Sequence, residues 1–137
     1  MTIKTAKLSL SLLWVVAAIP LMFLLIMRQL NGDFGDNSKA VWTWAAQFLF
    51  PNLTLIGGAW SVAASPNDDK PMSSVFVFWA AIALSLFYIV VLYLVLGAQE
   101  ASSAAPQTVY EQSALFLVLI QALIIGWLGK FFVESGR

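Results

Sequence analysis

The sequence predicts an all-α membrane protein with four transmembrane helices and no soluble domain. The chain has 137 residues, of which 61% are hydrophobic and only 10% are charged, whereas about a quarter of the residues in a typical soluble domain are charged. Four apolar stretches, each long enough to cross the hydrocarbon core as a helix, make up most of the chain. We therefore expect a single polytopic domain, residues 1–137, with helices at about 8–28, 41–64, 74–97 and 113–133.

The balance of residue types excludes several classes of function. Seven basic and seven acidic residues cancel, so no net field favours nucleic acid as a partner. The chain has no cysteine and no histidine, which excludes disulfides, thiol redox chemistry, cysteine–histidine zinc sites and histidine-ligated haem. All seven carboxylates fall in connections or at chain ends, which argues against a proton-coupled carrier. We expect no enzyme, and thus no catalytic residue, metal site or cofactor.

The first apolar stretch, residues 8–28, is interpreted as a transmembrane helix and not as a signal peptide. Its charge-free run is too long for a signal peptide, and it has no small-x-small cleavage site. Pro20 lies inside it and removes a helical hydrogen bond, so a kink is expected. Arg28 at its end, and Lys130 at the end of the fourth stretch, are expected to reach the lipid headgroups.

The third stretch is the most uniformly apolar, and its few polar side chains are expected to pack inside the bundle. Ala81 and Ser85 share a helical face with Tyr88. The hydroxyls of Tyr88 and Tyr93 are suited to hydrogen bonds with neighbouring helices. Nothing in this stretch requires a ligand.

The fourth stretch carries a weaker version of the polar pattern found in the second. Ala122 and Gly126, followed by Gly129, form a small-xxx-small pattern that is typical of closely packed membrane helices. Gln121 is its single polar side chain at mid-membrane depth. Helix packing is the favoured interpretation of these residues, and pore lining is the alternative.

The distribution of basic residues predicts the orientation. Cytoplasmic loops carry more Lys and Arg than loops on the other side. If both termini are cytoplasmic, that side holds five basic residues and the other side two, and we expect this arrangement in the bacterial cytoplasmic (inner) membrane. The five are Lys4, Lys7, Lys70, Lys130 and Arg137, and the two are Arg28 and Lys39.

The second stretch, residues 41–64, holds most of the polar residues at membrane depth. Pro51 has no N–H, so the carbonyl of Gln47 must find a hydroxyl, an amide or water instead of its helical partner. Because both faces of this helix are polar or small, we do not expect either face to contact lipid. One face consists of Thr43, Gln47, Pro51, Thr54, Gly58 and Ser61, and the nearly opposite face consists of Ala45, Asn52, Ala59 and Ala63.

Three interpretations of this stretch remain open. The helix is the buried centre of a bundle or oligomer, cross-linked by its amides. Alternatively, its polar stripe lines a narrow path between protomers. In the third interpretation it is a broken helix that binds a solute near Asn52 at mid-membrane depth. The candidate residues for pore lining or helix contact are Gln47, Pro51, Asn52, Thr54, Gly58, Ser61, Gln121 and Gly126.

The resulting functional prediction is a non-enzymatic integral membrane subunit that forms a homo-oligomer through its second helix. A small channel or pore between protomers is one form that such an oligomer could take. The first alternative is an accessory, anchor or immunity-type subunit whose partner is another membrane protein. The second is a small solute carrier with its site near Asn52. Besides the lipid bilayer, the expected partner is therefore another membrane-embedded chain.

Overall fold

A computed structural model describes residues 2–61, 71, 75–101 and 106–136 and shows a bundle of helices. Within these residues the structure is helical almost throughout, apart from a single bridge between Thr2 and Pro71. A short 3-10 turn at Gly35–Asn37 joins the first two helices. The helices are α1 (Ile3–Asn31), α2 (Ser38–Phe48), α3 (Phe50–Ser61), α4 (Val75–Ala101) and α5 (Pro106–Gly136).

Within the described residues, three helices are long and apolar enough to cross a membrane, which confirms the prediction of a helical membrane protein. They are α1, the Val75–Gln99 part of α4 and the Thr108–Phe132 part of α5. Each helix extends beyond the apolar stretch that the sequence shows, because polar residues continue its first or last turns. In α1, for example, the Thr2 hydroxyl accepts a hydrogen bond from the Thr5 N–H, and Gly32 ends the helix in the left-handed conformation, with φ at 77°.

The single helix expected over residues 41–64 is instead two helices, α2 and α3, separated at Leu49. Neither helix alone has the length of a membrane span, as α2 has 11 residues and α3 has 12. The last residues of the expected helix, 62–64, lie outside the described part of the chain.

The interruption follows from the hydrogen bonds around Pro51. The last helical bond of α2 runs from the Leu49 N–H to the Ala45 carbonyl at 2.9 Å, and the next runs from the Leu53 N–H to the Leu49 carbonyl at 3.4 Å. The carbonyls between them, including that of Gln47, fall in the gap. Proline causes this gap because it has no N–H and its ring crowds the preceding turn. We call residues 47–52 the helix break.

Polar contacts join the ends of the helices on one side of the bundle. Arg28, near the end of α1, donates a hydrogen bond to the Gln99 side-chain oxygen near the end of α4. Trp44 of α2 donates to the Ser113 hydroxyl near the start of α5 at 3.0 Å. We call this side the Arg28 end. The end of α1 therefore lies beside the end of α4, together with the beginnings of α2 and α5.

Aromatic side chains join α4 and α5 at the opposite side, which we call the Lys130 end. The ring centroids of Phe76 and Trp127 are 6.2 Å apart, and those of Phe78 and Phe131 are 6.0 Å apart. The Lys130 ammonium lies 5.5 Å from the centre of the Trp127 ring, within the range of a cation–π contact. The start of α4 therefore meets the end of α5, so the two helices are antiparallel.

The expected core face of the third apolar stretch is confirmed. Ala81, Ser85 and Tyr88 of α4 are all buried. The Trp14 indole N–H donates to the Ser85 hydroxyl at 3.1 Å, and the Trp14 ring lies 6.1 Å from that of Tyr88. These contacts fasten α1 to α4 in the interior of the bundle.

Candidate functional site

The helix break is the candidate site, because two other helices direct polar side chains at backbone carbonyls that have no helical hydrogen bond. The Gln121 side-chain amide of α5 donates to the Gln47 carbonyl at 2.9 Å. The Tyr88 hydroxyl of α4 donates to the Phe48 carbonyl at 2.8 Å. The Gln47 carbonyl, which the sequence predicts to lose its helical partner because of Pro51, therefore accepts a hydrogen bond from a side-chain amide. These bonds replace helical ones in a region where an unsatisfied carbonyl would cost several kcal/mol.

Asn52 completes the break from within α3. Its side-chain N–H donates to the Phe48 carbonyl at 3.3 Å, so this carbonyl accepts from both Asn52 and Tyr88. The Asn52 side chain is fully buried, and its oxygen Oδ1 has no hydrogen-bond partner among the described residues. A buried acceptor in this position costs about 1–3 kcal/mol. Buried polar atoms without a partner are uncommon and are a reason to consider a functional role for a residue.

The chemistry available at the break is neutral hydrogen bonding. Its side-chain groups are the amides of Asn52 and Gln121 and the hydroxyl of Tyr88. Among the described residues, no group of three or more acidic side chains could hold a metal ion. The arrangement can hold a helix in an interrupted conformation or offer an acceptor to a neutral or cationic solute.

The side chains of α2 and α3 separate into two faces. The inner face is buried in the bundle and includes both ends of the break. The outer face is exposed and carries the amide, the two threonines and the Gly58 of the predicted stripe, together with Gly57, and Pro51 is half-buried beside it. The inner face consists of Trp44, Ala45, Phe48, Asn52 and Ile56, and the outer face consists of Thr43, Gln47, Thr54, Gly57 and Gly58.

The outer face is smooth and leaves room for close approach. The hydroxyls of Thr43 and Thr54 donate to backbone carbonyls of their own helices at 2.8 and 2.9 Å, so their methyl groups are available for packing. A Cβ atom added at Gly57 or Gly58 would meet nothing within 4 Å. These glycines are therefore not needed for packing among the described residues of the protomer.

The predicted site residues divide accordingly. Asn52 and Gln121 point into the bundle and meet at the break, whereas the side chains of Gln47 and Thr54 face outward with Gly58. The side chain of Ser61 lies outside the described residues. Gly126 belongs to neither face: it lies on α5, is exposed, and an added Cβ there would also meet nothing within 4 Å.

Sequence reasoning missed the partners that hold the inner face in place. Tyr88 was expected to bond within the bundle, but its acceptor, the Phe48 carbonyl, lies 40 residues away along the chain. The contact between Trp44 and Ser113 was also missed. The available signal was that Trp44 and Ser113 both lie near the start of a predicted transmembrane helix, and that the second and fourth of four successive crossings begin on the same side of the membrane.

Comparisons of this chain with protein-family models, with curated proteins and with solved structures found no match.

Proposed function

We propose that this protein is a non-enzymatic integral membrane subunit that forms a homo-oligomer through the outer face of α2 and α3. The observation that carries the proposal is the exposure of an amide, two threonines and two glycines on one continuous face. These residue types are enriched where membrane helices pack against each other, because small side chains allow the backbones to approach.

In this proposal α2 and α3 together form a fourth membrane crossing. The 11 residues of α2 and the 12 of α3 reach about 35 Å at 1.5 Å per residue, enough for a hydrocarbon core of about 30 Å. The position of α3 supports this, since Leu8 and Leu12 near the start of α1 line the same surface groove as Gly57 near the end of α3. Four crossings put both termini on one side, and the excess of Lys and Arg favours the cytoplasmic side.

The Gln47 side chain explains why the outer face needs a partner. It is exposed on α2 next to the break, and no described residue forms a hydrogen bond with its amide. In lipid this amide would be unsatisfied, which is unfavourable. In a two-fold contact, the Gln47 amides of two copies could donate to and accept from each other. A larger ring would instead direct Gln47 and Thr54 toward a shared path, which is the channel form of the same proposal.

One observation favours a second candidate function, a small solute carrier. The buried Asn52 Oδ1 lies at an interrupted helix and has no hydrogen-bond partner among the described residues, and interrupted helices form the substrate sites of many transporters. This candidate uses the inner face, so variants of the two faces distinguish it from self-association.

The test is disulfide cross-linking in native membranes, for which the absence of cysteine in the chain makes single substitutions unambiguous. Thr54→Cys and Gln47→Cys are expected to form cross-linked dimers on mild oxidation. Val90→Cys is the matched control, because Val90 is 53% exposed on α4 and outside the proposed contact. Equal cross-linking at Val90 and Thr54 would indicate random collision and would contradict the proposal.

Native mass spectrometry of the gently extracted complex supplies the second readout. A single component with one defined copy number supports the homo-oligomer, and Gln47→Leu is expected to shift it toward monomer. A mass that includes a different protein would support an accessory subunit instead. Saturable solute binding that is lost in Asn52→Leu but kept in Gln47→Leu would support the carrier.

A further inference from the structure

A cleft of about 410 Å³ opens at the Arg28 end, between the first turns of α2 and the start of α5. Three charged side chains line it: Asp36, Lys39 and Glu111. Trp44 and Tyr110 also line it, with ring centroids 5.0 Å apart. Its volume is within the range of small-molecule sites, about 300–1,000 Å³. It is separate from the buried contacts of the helix break.

The position of the cleft matches the level of lipid headgroups. Trp42, Trp44 and Tyr110 lie together here at the ends of helices, and such aromatic residues concentrate at the membrane–water interface. The cleft continues along α2 from Lys39 to Gln47, a distance of about 12 Å at 1.5 Å per residue. It therefore runs from the charged surface into the hydrocarbon region, as a headgroup and the first part of its acyl chains do.

The flank of the cleft is open to the side. Thr43 and Gln47 line it and are also exposed on the outer surface of α2. A molecule whose head occupies the charged mouth could therefore leave its apolar tail in the surrounding lipid. A water-soluble ligand would not need this lateral opening.

The charges select the kind of headgroup. Lys39 offers an ammonium to a phosphate, while Asp36 offers a carboxylate to a cation. Within the described part of the chain, neither Asp36 nor Lys39 forms an ion pair. A headgroup with phosphate alone would place its negative charge near the Asp36 carboxylate with no cation between them, which is unfavourable. A headgroup with a phosphate and a primary ammonium matches both signs, and the ammonium can donate charge-assisted hydrogen bonds that a choline cannot.

We propose that this cleft binds the headgroup of phosphatidylethanolamine at the Arg28 end of the bundle. The headgroup contacts, Asp36 and Lys39, are not part of the outer face, whereas Thr43 and Gln47 line both the open flank of the cleft and the proposed protomer contact. The proposal assigns a role to charged residues that neither the helix break nor the proposed oligomer contact uses.

The experiment is native mass spectrometry of the full chain in detergent with added phosphatidylethanolamine, phosphatidylcholine or phosphatidylglycerol, all with the same acyl chains. The wild-type protein is expected to retain phosphatidylethanolamine most strongly. Lys39→Ala and Asp36→Asn are each expected to lower its retention about fivefold, as for the loss of one charge-assisted hydrogen bond at a partly exposed site. Lys4→Ala is the control, since it removes an exposed lysine at the opposite end.

Each other outcome would overturn the proposal. Stronger retention of phosphatidylglycerol would show simple attraction of anionic lipid. An equal loss in Lys4→Ala would show that binding is not located at the cleft. Soluble glycerophosphoethanolamine that binds as tightly as the diacyl lipid would show a site for a free zwitterion. Cross-linking of the separate Thr54→Cys variant is measured in parallel, so a failure of the lipid site is distinguishable from a failure of self-association.

Discussion

The inner and outer faces of α2 and α3 carry similar polar groups but differ in whether other helices of the protomer form hydrogen bonds with them. On the inner face, the carbonyls of Gln47 and Phe48 accept hydrogen bonds from α4 and α5. On the outer face, the Gln47 side-chain amide forms no hydrogen bond with the described residues of the protomer, and a Cβ atom added at Gly57 or Gly58 would meet nothing within 4 Å. The polar groups of the inner face therefore stabilise the protomer, and we propose that those of the outer face contact another chain.

The largest expected effect comes from removing the main anchor of the inner face. Trp44 is 3% exposed, packs against Tyr110 and donates to Ser113. Trp44→Ala should lower the free energy of unfolding in dodecyl sulfate titrations by about 3–5 kcal/mol, because it leaves a cavity and removes the indole donor to the Ser113 hydroxyl. Trp79→Ala is the control, since Trp79 is 61% exposed and should cost far less. Similar losses for the two tryptophans would contradict the assignment of Trp44 to the inner face.

A smaller effect is expected from the hydroxyl at the break. Tyr88→Phe removes one of the two donors to the Phe48 carbonyl and should cost about 1–2 kcal/mol, since this carbonyl lies where the helical ladder is interrupted. Tyr93→Phe is the comparison: its hydroxyl donates to the Ala17 carbonyl within the uninterrupted α1. The same unfolding titration should therefore give a smaller loss for Tyr93. An equal loss would show that the break places no special demand on Tyr88.

The role of Pro51 can be isolated with a double-mutant cycle. Pro51→Ala restores an N–H that can bond the Gln47 carbonyl, so the donor from Gln121 becomes less important. Gln121→Leu should consequently cost about 0.5–1 kcal/mol less in the Pro51→Ala background than in the wild-type protein. The same cycle with Pro20→Ala should show no coupling, because the donors described at the break come from α3, α4 and α5 and not from α1. Additive losses in both cycles would exclude a compensating role for Gln121.

The sequence predicts the helical membrane character because that property is local. About twenty apolar residues in succession are enough to indicate a span, and α1, α4 and α5 confirm it. The same local reasoning predicts that Pro51 frees the Gln47 carbonyl. It does not predict that the helix divides at Leu49, since Pro20 lies in a stretch of similar apolarity and α1 continues through it.

The sequence does not predict which side chains donate hydrogen bonds to the carbonyls at the helix break. Gln121 lies 74 residues from Gln47, and Tyr88 lies 40 residues from Phe48. Their convergence depends on helix order and rotation, which one sequence does not reveal. The division of the predicted site residues into inner and outer faces depends on the same information. Asn52 and Gln47 are both polar, and only packing shows that the first side chain is buried and the second exposed.

The smallest effect on protomer stability is expected from a substitution on the outer face. Such a substitution separates the contribution of this face to assembly from its contribution to folding. An alanine at position 58 would meet nothing within 4 Å, and alanine is favoured over glycine inside a helix by about 0.5–1 kcal/mol. Gly58→Ala should therefore leave the protomer as stable as before or slightly more so. The added methyl should nevertheless hold two copies apart, because close approach at small residues is what stabilises such contacts. Reduced cross-linking of Thr54→Cys in this background, with unfolding unchanged, would separate assembly from folding. A loss of stability without a change in cross-linking would place Gly58 in the protomer core instead.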